Sequence, residues 1–237
     1  MKIRVRFSKT GNMKYVGHLD TMRYFQKAVK RAGLDIAYTE GFSPHPVMSF
    51  ALPLGVGVTS EGEYMDIRVN SSRSSAESVA ALNSVMTEGF GVSDYVRLPD
   101  DSKKGMTLVF AADYTISINE DGAFTPEKDI WEGIEASFWK GSDIIEALKK
   151  GKHGETLMDI KPLIHFIKSE YNLENPRDSK IYMRLAAGSR NNLKPDLVLE
   201  EGLKFFGKAF EITDFNIHRT ELLNEDLVPL KDLGEVI

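Results

Sequence analysis

KIRVRFSKTGNMKYVGHLDTMRYFQKAVKRAG, residues 2–33, changes its periodicity halfway along, and that change sets the fold class. Ile3, Val5 and Phe7 alternate with Lys2, Arg4 and Arg6. This period of two marks a strand with one apolar face. A turn at Gly11 and Asn12 follows. From residue 18 the spacing becomes helical: Leu19, Met22, Phe25, Val29 and Ala32 fall on one side, and Arg23, Lys27, Lys30 and Arg31 on the other. Gly33 stands where a helix-ending glycine belongs. A strand joined to an amphipathic helix over about 18–32 is the opening of an α+β domain.

Reading outward, residues 35–39 suit a short strand and GFSPHP (41–46) a loop. Residues 47–52 and 63–69 read as strands, about 75–88 as a helix and 90–97 as a strand. The order β-α-β-β-α-β is that of a ferredoxin-like domain with an antiparallel sheet. The polar segment PDDSKKG (99–105) is the expected domain boundary. The same order can be read again beyond it. A strand is expected at 107–118, a helix at 127–139, a strand near 155–160, a helix at 162–171 and a strand at 180–187. Residues 143–150 are ambiguous, because Ile144, Ile145 and Leu148 also fit a helix. A helix at 195–206 and a strand at 210–219 come as additions. The expected organisation is therefore two ferredoxin-like halves, residues 1–98 and 106–223, followed by an acidic, loose tail at 224–237.

The 237 residues contain no cysteine, which excludes disulfides, thiolate metal sites, iron–sulfur ligation and cysteine nucleophiles within this sequence. The basic N-terminus lacks the apolar run of a signal peptide, and no apolar stretch approaches the ~20 residues of a membrane span. The expected location is the cytoplasm, with no membrane partner. Residues 1–50 hold nine Lys/Arg and three Asp/Glu, a balance of +6. A net charge of −5 then leaves −11 for the remainder. The asymmetry suggests a basic face on an acidic body, unless the charges are merely clustered on a solvated surface.

GHLDTMR (17–23), KRAG (30–33), YTEGFSPHPVMSFALPLGVG (38–57) and SEGEYMDI (60–67) together resemble the radical-SAM-linked family, DUF2344. KKGKHGETLMDIKP (149–162), GSRNNLKPD (188–196) and HRTELL (218–223) extend the resemblance over essentially the whole chain. It implies a companion of a radical-SAM enzyme, encoded beside it or fused to it, with no settled activity. Gly17 stands where the family leads one to expect a serine before HLD, so a hydroxyl function at that position would be missing here.

The candidates for chemistry are few. His18 and Asp20 are two apart and do not share a helical face; Asp20 lies at i,i+3 from Arg23, and an ion pair is its simplest use. His45 is held between Pro44 and Pro46, which suits rigid presentation of a ligand or acid/base group and equally suits plain loop rigidity. His18, Asp20, Phe42 and His45 are expected to line one groove. His18 and His45 are the catalytic candidates. With no HxxxH or HxH spacing, no metal and no cofactor are expected. GVG (55–57) lacks the lysine of a P-loop. Arg23, Lys27, Lys30 and Arg31, with Arg4 and Arg6, would meet phosphates, and Tyr15, Tyr24 and Phe42 would stack bases. Lys150, Lys152 and Asp159 sit in a hairpin-like segment, and Ser189, Asn192 and Lys194 precede a helix whose N-terminus could hold an anion.

Two functions follow as expectations. The first is a module that presents a substrate, RNA or a ribonucleoprotein, to a radical-SAM enzyme. The alternative is a metal-independent RNA-processing enzyme using histidine acid/base chemistry, by fold-level analogy with tandem ferredoxin-like endonucleases. The sequence leans away from an enzyme, because no triad or carboxylate pair is legible in it.

Overall fold

The structure is a computed structural model that describes residues 1–151 and 154–237, with the backbone alone at 149–151. In chain order its elements are β1 (Lys2–Lys9), α1 (His18–Arg31), β2 (Met48–Phe50), β3 (Thr59–Arg68), α2 (Ser75–Asn83), β4 (Phe90–Leu98) and the short α3 (Gly105–Leu108). There follow β5 (Ala111–Ile118), α4 (Lys128–Gly133), β6 (Glu146–Gly151), β7 (Gly154–Asp159), β8 (Ile164–Glu170), β9 (Lys180–Ala186), α5 (Pro195–Phe205) and β10 (Phe215–Leu223). The fold mixes helix with mostly antiparallel sheet. Among the described residues no helix is long and apolar enough to cross a membrane.

The chain divides into two compact units, Met1–Ala111 with Arg219–Ile237, and Ala112–His218. In the first, the strands lie in the order β4-β1-β3-β10, with the short β2 also on β3. β1 is antiparallel to both neighbours, with Arg4 opposite Asp66 on β3 and Val96 on β4. Ile3, Val5 and Phe7 are fully or almost fully buried and pack with Phe25 and Val29 of α1. Phe7 and Phe25 have ring centroids 4.5 Å apart, and Phe90 joins them at 5.4 Å from Phe25. Each such side chain contributes roughly 1.5–3 kcal/mol by leaving water.

The phase of α1 differs slightly from the expectation. Thr21, Phe25, Ala28 and Val29 point inward, whereas Leu19 is exposed. Gly33, at φ +66°, takes the left-handed conformation that ends the helix. α2 starts with a capping box: Ser74 Oγ accepts from the Glu77 amide, and a Glu77 carboxylate oxygen accepts from the Ser74 amide.

The other face of β1 is not the solvated cationic surface that alternation suggested. Arg4 is buried, its guanidinium paired with both Asp66 oxygens at 2.8 and 3.0 Å and donating to Leu230 O. Arg6 is half-buried against Glu221, 3.2 Å away. The cover comes from residues expected to form a loose tail. Leu230 is fully buried, Arg97 and Glu235 exchange two backbone hydrogen bonds of 2.8 Å, and Ile237 packs on the core. Residues 224–237 therefore belong to the first unit, because Val228, Leu230 and Ile237 are spaced within an acidic stretch and β4 offers an unpaired edge.

In the second unit the strands run β10-β5-β9-β8. Its core holds Ile116, Trp131, Ile134, Ile167, Ile181, Met183 and Leu199. The Trp131 indole N–H donates to Glu170 O and Lys180 O. α4 runs into a π-helical segment, Ile134–Trp139, against which α5 packs closely at Gly202. Several sequence expectations are corrected here. The helix expected at 162–171 is strand β8. The strand expected from 107 starts at Ala111, after the short α3. Residues 35–39 make only isolated bridges, at Ile36 and Tyr38. The strand taken as an addition at 210–219 is β10, Phe215–Leu223, of which the residues up to His218 belong to this unit. The ambiguous 143–150 segment enters a hairpin, β6–β7, with Leu148 opposite Leu157.

Candidate functional site

Three of the quoted motifs meet at the start of α1. Because Lys9 follows Phe7 by two residues, it points to the same inner face of the sheet, and Glu63, paired with Phe7 across β1 and β3, does so too. His18 opens α1 and stacks edge-on against Phe50 at 5.5 Å. Lys9, His18, Thr21, Phe50, Leu52 and Glu63 line a pocket with space of about 10 Å³, no more than one water requires.

Glu63, in the lining of this pocket, is ion-paired. Arg219, from the first-unit end of β10, donates from Nε and Nη2 to the two Glu63 oxygens at 2.7 and 2.6 Å, and also to Leu52 O at 3.2 Å. Both side chains are almost completely buried. Lys9 Nζ donates to Val16 O at 2.6 Å, which fixes the chain just before α1. Burial pushes the Lys9 ammonium below its ordinary value; the Glu63 charge opposes that shift and the Arg219 charge adds to it. An amine moved toward neutrality is a functional signal and equally a feature of buried ion networks.

Asp20 and Arg23 form the expected i,i+3 ion pair, at 3.2 Å and well exposed. Lys27, Lys30 and Arg31 are also exposed. Arg31 donates to Val85 O and lies over Tyr24, whereas Lys27 has no ion-pair partner among the described residues. Tyr24 is not open for stacking on a base: its ring stacks on Phe90 at 4.7 Å and its hydroxyl accepts from the Thr87 amide.

His45 is not among the residues that line the His18 pocket. Its Nδ1 lies 3.1 Å from Thr39 Oγ1 and 3.3 Å from Ser43 O, in an exposed loop crowned by Phe42, whose side chain is wholly exposed. His18 meets Phe50, and His45 meets Thr39. Among the described residues no three His, Asp or Glu side chains gather as a metal ion would need. In the second unit Ser189, Asn192 and Lys194 are exposed, and Lys194 precedes α5 without capping it through its side chain. Pro195 at the first helical position and Asp196 in the first turn account for that helix start. Of the hairpin candidates, Asp159 is a turn acceptor for the Ile145 and Lys161 amides. Lys152 and the Lys150 side chain lie outside the described residues.

Sequence reasoning missed Lys9, Glu63 and Arg219. Each is a charged residue at the inward phase of its strand: Lys9 after Val5 and Phe7, Glu63 before Met65 and Ile67, Arg219 after Phe215 and Ile217. That phase was the available signal.

No curated protein matches this chain. A family model described as "uncharacterized protein conserved in bacteria (DUF2344)" matches residues 2–195, a span that takes in the HLD and GFSPHP motifs and every residue that lines the pocket, but not Arg219, the partner of Glu63. By that match over most of its 237 residues, the chain belongs to the DUF2344 family.

Proposed function

We propose that this chain is a partner module of a radical-SAM enzyme and presents RNA, free or in a ribonucleoprotein, on the exposed face of α1. The observation that carries the reading is the row of cations on one helix. Arg23, Lys27, Lys30 and Arg31 all reach solvent on a chain whose net charge is −5. Long basic stems on a surface helix meet phosphates at small desolvation cost. The sequence offers no cysteine for an iron–sulfur cluster, so the radical chemistry belongs to the partner. In this reading both units are ferredoxin-like. The support is the strand order: the first strand lies between the fourth and the third in each unit, as a β-α-β-β-α-β chain gives. The cytoplasm is the proposed location.

One observation favours the alternative of an RNA-processing enzyme. His18 shares its pocket with Lys9 and Glu63, so an acid/base group stands beside a desolvated amine. The two readings part in one experiment. The tagged chain is recovered from cells, and the retained proteins and RNA are identified. Retention of a radical-SAM enzyme together with RNA, both weakened by Lys27→Glu and Arg31→Glu, supports the partner reading. RNA cleavage by the isolated chain, lost in His18→Ala, supports the enzyme. Recovery of neither protein nor RNA overturns both.

A further inference from the structure

We propose that Tyr38 and Phe42 form a base-stacking platform at the C-terminal end of the α1 cation row, so that the nucleic acid bound there is single-stranded. This rests on the RNA reading above and names its substrate class.

One ring of the platform, Tyr38, meets the cation row directly. Arg23, Lys27 and Lys30 stand at i, i+4 and i+7, a single line along α1. At the end of that line Lys30 Nζ lies 5.2 Å from the centroid of the Tyr38 ring. Tyr38 is 43% exposed, so one part of the ring meets the ammonium and much of the rest meets water. The chain then makes a small closed loop. Tyr38 bridges Pro46, Thr39 N donates to His45 O at 2.9 Å, and His45 N donates to Thr39 Oγ1 at 3.2 Å. Gly41, at φ +109°, supplies the turn that other residues rarely adopt. Phe42 stands at the tip.

A single exposed aromatic needs no explanation by itself. Here the loop is held by hydrogen bonds on both sides and by the prolines that flank His45, and it starts at Tyr38, the ring that Lys30 meets. The charge selects an anionic polymer. The aromatic rings select one whose bases are unpaired: stacking on a protein ring is worth roughly 1–3 kcal/mol per base, and any base has a face to offer. In an RNA duplex the bases stack on each other and only backbone and groove edges remain. A duplex would use the cations and leave Phe42 idle. An acidic protein partner would likewise use the cations, with Phe42 as an apolar anchor, and is treated as an outcome of the test.

The test is fluorescence anisotropy with a labelled single-stranded RNA of mixed sequence, and with the same strand annealed to its complement. The protein variants are Phe42→Ala, Phe42→Trp, Tyr38→Ala and Lys27→Glu, all at exposed positions. The expected result is tighter binding of the single strand, a loss of about 5- to 150-fold with Phe42→Ala, and retention with Phe42→Trp. Equal binding of strand and duplex, with both aromatic variants unaffected and Lys27→Glu weakened, overturns the platform and leaves the RNA reading in place. Absence of binding to either RNA overturns both. If Phe42→Ala leaves RNA binding intact but releases a copurifying protein, Phe42 is a protein contact and the platform is overturned.

Discussion

Glu63 and Arg219 are 156 residues apart in the chain and meet through two hydrogen bonds of 2.7 and 2.6 Å, with both side chains almost dry. A buried bidentate pair owes its stability to the presence of both members. Removing one leaves the other charge without compensation. Glu63→Leu and Arg219→Met are each expected to lower unfolding free energy by about 3–5 kcal/mol. The double variant Glu63→Leu/Arg219→Met is expected to lose less than the sum of the two single losses. Urea unfolding of the four proteins in a cycle checks this, and simple additivity would show that the pair does not couple.

The cation beside that pair has a signed pH dependence. Lys9 is desolvated, and its pKa in the folded protein lies below its value in the unfolded chain. Between those two values the unfolded chain holds a proton that the folded protein has released. Stability therefore rises with pH through that window, up to about 10.5, the ordinary value. Lys9→Met removes the titration. The stability of the wild type relative to Lys9→Met should climb as pH is raised on the alkaline side. Parallel unfolding curves over the same range would show that Lys9 titrates alike in the folded and unfolded states.

Much of the first unit was legible because its signals are local. Alternation at Ile3, Val5 and Phe7 and helical spacing at Phe25 and Val29 fixed β1 and α1. β8 was misread for a physical reason. The register between β8 and β9 shifts between Ile164 and Phe166, so Ile164 and Ile167 both point inward although they are three apart. A β-bulge there mimics helical spacing. The site was harder to read. Arg219 and Glu63 have no local relation, and a charge at an inward position reads as noise until its partner is known. Arg4 and Arg6 were assigned to solvent because the pattern of one strand cannot show what covers its second face.

Gly62 marks a close approach between β3 and the Arg219–Leu223 part of β10. A Cβ at this position would lie 2.3 Å from Thr220 O and 2.7 Å from Glu221 Cα, both backbone atoms that cannot turn aside. Gly62→Ala must push β10 away and disturb the Glu63–Arg219 pair next to it. A loss of about 2 kcal/mol or more in thermal or chemical unfolding is expected. Gly55→Ala is the control. Its nearest neighbour would be Val58 Cγ2 at an ordinary 3.7 Å, and a change within about 0.5 kcal/mol is expected. Equal effects at the two positions would mean that β3 and β10 are not so closely apposed.

Arg4 and Lys27 carry the same charge in different surroundings, and the contrast separates a structural cation from a binding one. Arg4 is 1% exposed, and its planar fork meets both Asp66 oxygens and Leu230 O. Lysine keeps the charge but cannot reproduce that geometry. Arg4→Lys should therefore destabilise the fold by about 1–3 kcal/mol through buried acceptors left short of a donor. Below its unfolding temperature it should bind RNA as the wild type does. Lys27 is exposed with no ion-pair partner among the described residues, so Lys27→Glu should leave the unfolding temperature almost unchanged. Its effect belongs in binding. Each phosphate neutralised on a single strand contributes about 0.7 to the slope of log affinity against log salt through counterion release. The reversal removes one such contact and repels the neighbouring phosphate. The slope should fall by about one for Lys27→Glu and stay unchanged for Arg4→Lys. Anisotropy titrations from low to near-physiological salt, beside melting curves of the same preparations, give both readouts. A slope that Lys27→Glu leaves unchanged would take Lys27, and with it the α1 face, out of the phosphate contacts.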